Sequence, residues 1–349
     1  MLRSLGKARQ AQGELLALAA YFELKLQAEV LTEEVLTTAA IEGEKLNRDA
    51  VRSSVARRLG LPTAGLPAVA RHVDGLVQML VDATRNHGEP LIASRLKGWQ
   101  AALFPTGYSG MRKIAVGEWR RDEVPMQVVS GPIGKEKIHY EAPPADRVEV
   151  EVERFLEWFR SSRGELDGLV RAAVVHFWFV TIHPFQDGNG RIARAIADMA
   201  LAQDEKSGCR LYSMSAQIEA ERDEYYDVLE RAQKGSGDIT PWIVWFLECL
   251  ERAIRRSVAE VRKTVDKARL WQNIAHLGLN ERQQKIVNRL LEAGPGGFEG
   301  GLTNRKYRAM TKTTRETAKR DIADLVAKGI LVRNPGGGRS SSYDLVWPP

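Results

Sequence analysis

Residues 183–194 of this 349-residue chain read HPFQDGNGRIAR and combine a histidine, two glycines, an aspartate and two arginines in twelve positions. Gly188 and Gly190 permit backbone conformations that other residues avoid. A helical period starts after them and places Arg191 and Arg194 on one face of the first turn of a helix. Backbone N–H groups in a glycine-rich turn and at a helix N-terminus attract anions. The stretch therefore predicts a site for two or more phosphate groups.

Two further side chains of the stretch suit chemistry on a bound phosphate. Asp187 is a carboxylate placed to hold a Mg²⁺ that bridges phosphate oxygens. His183, fixed by Pro184, can take a proton from an incoming hydroxyl. Each feature alone also has a structural explanation, as a turn, a helix cap or a solvated helix face. Their concentration in one short stretch favours nucleotide transfer, which needs a base, a metal ligand and an anion cradle.

The stretch HPFQDGNGRIAR resembles, at every fixed position, the signature HPFx[DE]GNGRxxR of the Fic (filamentation induced by cAMP) family. Neighbouring segments such as KIAVGEWR (113–120) and VVSGPIGKEKIHYEAPP (128–144) are similar to the usual surroundings of that core. The resemblance covers about residues 10–250. It implies a protein adenylyltransferase, which moves AMP from ATP to a Ser, Thr or Tyr hydroxyl of a protein target, itself included, and releases pyrophosphate.

The resemblance also implies a role for each matching residue. His183 would be the general base, Phe185 would anchor the loop, and Asp187 would bind Mg²⁺. The side-chain amide of Asn189 would assist the backbone in holding the phosphates. The residues implied to contact ATP are Glu42, His183, Gly188, Asn189, Gly190, Arg191, Ile192, Ala193, Arg194, Tyr225 and Tyr226. The flap residues implied to align the target as an added strand are Ile138, His139 and Tyr140.

A second motif lies near the N-terminus, where residues 38–43 read TAAIEG. Thr38, Glu42 and Gly43 match the inhibitory motif [ST]xxxE[GN] of the same family. A Glu42 carboxylate that reaches Arg194 would form a charge-assisted pair and occupy the arginine that the γ-phosphate needs. This implies low basal activity. It also allows Glu42 to position a water for the reverse reaction, the removal of AMP.

The amino-acid composition indicates the cellular location of the protein and limits the kinds of partner it can have. Only Cys209 and Cys249 are present, which gives neither a disulfide framework nor a zinc pattern and favours a reducing cytoplasm. The N-terminal segment fits an amphipathic helix better than a signal peptide. No apolar run is long enough to span a membrane, so we expect no membrane partner. His176 lies in an apolar helical pattern and is expected to be a buried helix residue.

Charge is distributed unevenly along the chain, whose net charge is +6. Residues 281–349 hold 13 Lys plus Arg against 7 Asp plus Glu, whereas the residues before them hold 38 of each. This asymmetry predicts a separate basic module. Its order of helix, short helix, longer helix and two strands around a Gly-rich tip indicates a winged helix-turn-helix. Arg315, Lys319 and Arg320 on the longer helix and Arg339 at the tip are placed to meet DNA.

The sequence thus predicts a mainly α protein, with a Fic-type helical core, a small β-hairpin flap and a winged helix. We predict an N-terminal helical domain with the inhibitory motif (1–100), a catalytic core (101–251), a helical connector (252–278) and a winged-helix domain (279–349). Relatives with this layout often dimerise, so a homodimer is expected.

Three alternatives stay open. The chain could be a DNA-binding regulator whose core senses nucleotide or removes AMP from a partner. It could transfer a group other than AMP, or its winged helix could dock protein.

Overall fold

The computed structural model of the protein describes residues 1–19, 24–63, 65–122, 124–130, 137–294, 296–335 and 341–347. Within these ranges most residues are helical and the strands are short, so the prediction of a mainly α fold is confirmed. The described residues fall into two compact units, Met1–Ser257 and Val258–Pro349. The division lies within one long helix, which begins at Thr240 and has Pro241 in its first turn, where proline is favoured. No helix among the described residues is long and apolar enough to cross a membrane.

The first unit is built from eleven helices among the described residues, the last of which runs on past the division. They are α1 (Leu2–Ala17), α2 (Leu24–Ile41), α3 (Arg48–Leu59), α4 (Arg71–Arg85), α5 (Ala93–Leu103), α6 (Val148–Ser161), α7 (Gly168–Ile182), α8 (Asn189–Glu205), α9 (Met214–Ala220), α10 (Arg222–Lys234) and α11 (Thr240–Ile274).

Helices α7 and α8 form the centre of this unit. Asp167 caps α7 by accepting hydrogen bonds from the backbone N–H groups of Leu169 and Val170. Every residue of α8 from Arg191 to Gln203 is buried. Several of these residues are alanines, whose small side chains let neighbouring helices approach closely. The loop between α7 and α8 is therefore held between two rigid, buried elements.

Helix α2 is anchored by a buried carboxylate. Glu34 is 3% exposed. It accepts hydrogen bonds from the Ser213 hydroxyl at 2.7 Å and from the Ser215 backbone N–H at 3.0 Å, at the start of α9. A buried carboxylate is costly unless it is hydrogen-bonded in this way. These bonds fix α2 in a position that brings its C-terminal end against α8.

Two β-hairpins interrupt the helices where the Gly- and Pro-rich texture predicted loops and a hairpin. The first pairs β1 (Tyr108–Ser109) with β2 (Arg112–Lys113). The second, the predicted flap, pairs β3 (Gln127–Ser130) with β4 (Lys137–Glu141) in antiparallel register, with an irregularity between Val128 and Val129. The tip of the flap, residues 131–136, lies outside the described residues.

The second unit follows the order of elements that the sequence predicts for a winged helix. Its buried core includes Ile286, Tyr307 and Ile322. Arg339 and the rest of the predicted wing tip, residues 336–340, lie outside the described residues. The elements that follow α11 are α12 (Glu281–Ala293), β5 (Leu302–Thr303), α13 (Asn304–Thr311), α14 (Arg315–Ala327), β6 (Leu331–Arg333) and β7 (Ser342–Leu345), with an antiparallel sheet in the order β5-β7-β6.

Candidate active site

His183 ends helix α7 and begins the loop. Its φ of 50° lies in the left-handed region, an unusual conformation for a residue other than glycine. The Arg120 guanidinium stabilises it by donating from Nε to the His183 carbonyl at 2.8 Å, and the Arg120 backbone N–H donates to the Pro184 carbonyl at 2.9 Å. The buried Arg120 thus holds the backbone of the first two loop residues in place.

The ring of His183 is set up to accept a proton. Nδ1 lies 3.3 Å from the Val180 carbonyl oxygen. If Nδ1 carries the proton and donates to that oxygen, Nε2 is left as an acceptor. Burial lowers the pKa of His183 to about 4, which outweighs the raising effects of the Val180 bond and the Glu42 charge, and the Arg120 charge adds to the lowering. The ring is therefore neutral at pH 7.

The middle of the loop is held by Phe185 and Asn189. Phe185 is fully buried and packs against Trp119, with ring centroids 4.7 Å apart, as expected of an anchor. The side chain of Asn189 has a role that the sequence did not indicate. Its Oδ1 accepts from the Phe185 N–H at 2.9 Å and its Nδ2 donates to the Phe185 carbonyl at 2.8 Å. The side chain therefore braces the loop, and Nδ2 keeps a second N–H that these bonds do not use.

The first turn of α8 lies at the end of the loop. Gly188 has a φ of 90°, and a Cβ there would lie 3.0 Å from the Phe104 ring, so glycine is required. Ile192 and Ala193 are fully buried. Their side chains point into the core, which leaves only their backbone for contact with a nucleotide. The Ile192 N–H already donates to the Gly188 carbonyl at 3.0 Å.

Arg194 is buried and held by the C-terminal end of α2. Its Nε donates to the Thr38 hydroxyl at 2.7 Å, and its Nη2 donates to the Thr38 carbonyl at 3.0 Å and to Glu42 Oε1 at 2.7 Å. Burial is the largest single influence and disfavours the charged guanidinium, but Glu42 together with Tyr225 and Tyr226 outweighs it, so the pKa of Arg194 is raised. The three partners come from the residues of the inhibitory motif that the sequence resembles.

Glu42 also fills the space over the first turn of α8. A Cβ added at Gly190 would lie only 2.2 Å from Glu42 Oε1. The carboxylate thus lies against the backbone of the helix N-terminus, where an anion would bind. Gly43, with a φ of 83°, provides the left-handed residue that ends α2 and turns the chain.

Arg191 lies one turn before Arg194, as the spacing predicts. Its Nη1 donates to Glu44 Oε2 at 3.2 Å, and its Nη2 lies 3.5 Å from Asp187 Oδ1. Among the described residues, Nε of Arg191 and Nη1 of Arg194 are buried without a hydrogen-bond partner. Buried guanidinium nitrogens without partners are costly, and an anionic ligand between the two arginines would satisfy them.

Asp187 is the expected metal ligand. Its Oδ2 accepts from the Ser109 hydroxyl on the first hairpin, and its Oδ1 accepts from the Gly188 N–H. Among the residues that the structure describes, no group of three or more His, Cys, Asp or Glu side chains could hold a metal ion. A single carboxylate still fits Mg²⁺, because this ion commonly keeps several waters and binds one or two carboxylates together with substrate phosphates.

The two tyrosines of α10 have different surroundings. Tyr225 is 2% exposed and packs among the rings of His176, Trp242 and Trp245, so it belongs to the core. Tyr226 is half-buried, and its hydroxyl donates to the Ile41 carbonyl at 3.3 Å. Of the two, Tyr226 is the more exposed. His176 is fully buried, as expected, and is stacked on Trp242 with centroids 5.1 Å apart.

The flap strand β4 is attached to α10 and α7. Nδ1 of His139 lies 2.5 Å from Glu230 Oε2, and the Tyr140 hydroxyl donates to the Thr181 carbonyl at 3.0 Å. Ile138 is 48% exposed, and its carbonyl accepts from Lys234 Nζ at 3.4 Å. The flap therefore starts from a supported position beside the loop, although β3 and β4 pair only with each other in the described sheet.

Sequence reasoning missed several residues that shape this site. Ser109 orients Asp187, and Gln186 ties the loop to residues 115–122 through the Ala115 N–H and the Asp122 carboxylate. Arg120 lies in the KIAVGEWR segment, where an arginine among apolar residues was a usable signal. Glu44 follows the inhibitory motif directly, but only its position against Arg191 distinguishes it from an exposed acid.

The comparisons with known proteins agree with this geometry. Residues 90–201 match the profile of the Fic/DOC family, and residues 1–61 match that of a domain of unknown function, DUF4172. Residues 90–201 are therefore similar in sequence to the Fic/DOC family. "Protein adenylyltransferase Fic" of Culex quinquefasciatus is 33% identical over 139 residues, 40% of this chain and 24% of the relative. The protein of the same name from Nematostella vectensis is 36% identical over 114 residues, 32% of this chain and 25% of the relative. The matches thus span about a quarter of each relative.

Solved structures share the fold. A Fic family protein from Desulfovibrio desulfuricans G20 has a TM-score of 0.51 at 18% identity, covering 97% of this chain and 96% of that one. A Fic-domain signalling protein from Bacteroides thetaiotaomicron has a TM-score of 0.55 at 18% identity, covering 73% and 98% of the two chains. At these identities the likeness establishes the fold.

Proposed function

We propose that this chain transfers AMP from ATP to a hydroxyl group of a protein, itself included, and that the end of α2 restrains the transfer. One observation carries the proposal. Arg191 and Arg194 lie one turn apart at the N-terminus of α8, each with a buried nitrogen that has no partner in the part of the chain that the structure describes, and His183 on the preceding loop is neutral. This arrangement offers an anion site and a base side by side.

The transfer assigns a task to each group. The hydroxyl oxygen of the target forms a bond to the α-phosphorus, and the bond from that phosphorus to the pyrophosphate oxygen breaks. Nε2 of His183 takes the hydroxyl proton. The backbone at the start of α8 and the two arginines would bind the phosphates and balance the charge that grows on the departing pyrophosphate. Mg²⁺ held by Asp187 and the phosphates would add further charge neutralisation.

The restraint follows from the position of Glu42. Its carboxylate pairs with Arg194 and lies against Gly190, so a phosphate at that place would meet both a blocked arginine and a like charge. ATP would then bind only in a pose whose α-phosphate is misaligned for attack. Removal of the carboxylate frees the arginine and leaves the His183 side chain present as the base.

The test uses ATP labelled on the α-phosphate, with Mg²⁺, and three full-length proteins: the unaltered chain, Glu42→Gly, and Glu42→Gly with His183→Ala. We expect strong protein labelling of the second, little of the first and none of the third. Absence of label from all three, repeated with a cell extract as the source of targets, would overturn the proposal. Label carried from γ-labelled ATP instead would indicate transfer of phosphate.

The charges of the second unit favour a second, independent function, the binding of DNA. We propose that the solvent-facing sides of α13 and α14 contact its phosphates. Asp321 is buried and pairs with Arg282, and Asp324 pairs with Lys328, so these carboxylates are already neutralised. The exposed basic residues of the two helices and of the turn between them, none of which forms an ion pair among the described residues, are Arg305, Arg308, Lys312, Arg315, Lys319 and Arg320.

A mobility-shift assay on a duplex DNA of random sequence tests this second function. The double variant Arg315→Ala, Lys319→Ala should weaken binding and reduce its salt dependence, because each lost phosphate contact lowers the salt slope by about one. Arg289→Ala is the matched control, since Arg289 pairs with Glu292 on α12. No shift by the unaltered chain at low salt would remove the proposal and leave protein docking as the role of this unit.

A further inference from the structure

Both arginines near the N-terminus of α8, and not only Arg194, are occupied by carboxylates from the segment that follows α2. Arg191 Nη1 donates to Glu44 Oε2 at 3.2 Å. We propose that Glu44 is a second restraint on nucleotide binding, which acts on Arg191 as Glu42 acts on Arg194. The inference rests on the proposed function in that it concerns the regulation of the same site.

The turn at Gly43 explains how two acidic residues so close in sequence reach the same helix. The Glu44 N–H donates to the Ala39 carbonyl at 3.0 Å, and the Gly43 N–H donates to the Ala40 carbonyl at 2.9 Å. This is the hydrogen-bond pattern of a Schellman motif, with Gly43 as its left-handed residue. In a continuous helix, residues two apart do not share a face. The turn at Gly43 ends the helical geometry, so the carboxylates of Glu42 and Glu44 both face α8.

The arrangement on α8 matches this pair of carboxylates. Arg191 and Arg194 are one turn apart and therefore point to the same side. The Arg191 guanidinium also lies over the Phe104 ring, 5.1 Å from its centroid, and near Asp187. These contacts hold Arg191 in place without Glu44. Loss of Glu44 would therefore free the guanidinium for a phosphate and leave its position unchanged.

Glu44 also lies near a histidine. Its Oε1 is 3.6 Å from Nε2 of His72, on the first turn of α4. The side chains of Glu44 and Arg191 are 37% and 9% exposed, against 31% and 3% for those of Glu42 and Arg194. Because solvent screens the Glu44 pair more strongly, we expect the second restraint to be the weaker one.

The experiment compares the unaltered chain with Glu42→Gln, Glu44→Gln, the double variant and the control Glu33→Gln. Glu33 is the matched control because its side chain is also 37% exposed and pairs with an arginine, Arg48 at 2.5 Å, outside the site. Two quantities are measured for each protein: the dissociation constant for ATP by calorimetry, and label transfer from α-labelled ATP.

We expect Glu44→Gln to tighten ATP binding by about threefold, both alone and on top of Glu42→Gln, as for a partly exposed ion pair. We also expect the double variant to transfer label faster than Glu42→Gln alone. ATP affinity unchanged by Glu44→Gln in both backgrounds, as for Glu33→Gln, would overturn the inference. If the double variant binds ATP more tightly but no protein transfers label, the second restraint stands and the proposed transfer fails.

Discussion

Oε1 of Glu42 lies 2.7 Å from Nη2 of Arg194, although 152 positions separate the two residues in the sequence. This contact exists only while α2 is docked against α8 and α9. Any event that lifts the end of α2, such as the binding of a partner to its outer side, would free the arginine. The proposed restraint would therefore depend on the docking of a helix, and residues distant from the loop would be able to control it.

Thr38→Val should partly release the restraint. The hydroxyl of Thr38 accepts from Arg194 Nε, and valine has nearly the same shape but offers no acceptor. A hydrogen bond to a charged group is worth enough for label transfer from ATP to rise up to about tenfold, yet less than in Glu42→Gly, because Glu42 remains. Thr37→Val is the control, because the Thr37 hydroxyl donates to the backbone carbonyl of Glu33 within α2. Equal rates in the two valine variants would contradict the role of Thr38.

The transfer rate should be insensitive to pH around neutrality. Burial lowers the pKa of His183 to about 4, so the ring stays neutral and able to accept a proton at any higher pH. In Glu42→Gly, which also removes a charge that raises this pKa, initial rates should be level from pH 8 to pH 5 and fall only below that. Circular dichroism at each pH checks that the protein remains folded. A rate that halves near pH 6.5 would show that His183 titrates normally or is not the base.

Asn189→Ala should destabilise the loop. The variant removes both partners of the buried Phe185 N–H and carbonyl. Each buried group left without a partner lowers the free energy of unfolding by about 1–3 kcal/mol. The urea concentration at the midpoint of unfolding should therefore fall. Asn86→Ala, at the exposed end of α4, is the control and should change it little. A stable Asn189→Ala protein that has lost only ATP affinity would restore the phosphate-binding role that the family resemblance implies.

His176→Phe should reduce the sensitivity of the fold to mild acid. Burial lowers the pKa of His176 to about 3, against an ordinary value of 6.5. Between these values the unfolded chain binds a proton that the folded chain does not, so the free energy of unfolding falls as pH decreases, by at most about 1.4 kcal/mol per pH unit. Above pH 6.5 this contribution is fully present.

The measurement is urea unfolding at pH 7 and pH 5, followed by tryptophan fluorescence. Phenylalanine also removes two ring nitrogens that are buried without partners and keeps a ring stacked on Trp242. His276→Phe, an exposed position in the second unit, is the control. If His176→Phe shows the same loss of stability from pH 7 to pH 5 as the unaltered chain, the histidine is not the source of that loss.

Much of the fold could be predicted from local signals. The apolar period predicts α7 and α8, Thr240–Pro241 predicts the start of α11, and Thr314 caps α14 by accepting from the Thr317 N–H. The glycines of the loop predict where the chain turns. These signals are readable because helical propensity, capping and left-handed conformations depend on residues a few positions apart.

By itself, then, the sequence determined the helices, the loop and the kinds of side chain that the loop carries. The tertiary structure alone decided how those side chains are used. Asn189 turns inward to Phe185, Tyr225 joins the core, and Glu44 reaches Arg191. Each of these outcomes depends on which buried polar or aromatic group finds a partner after the helices pack. That choice is made by contacts between residues far apart in the chain, and no local pattern encodes it.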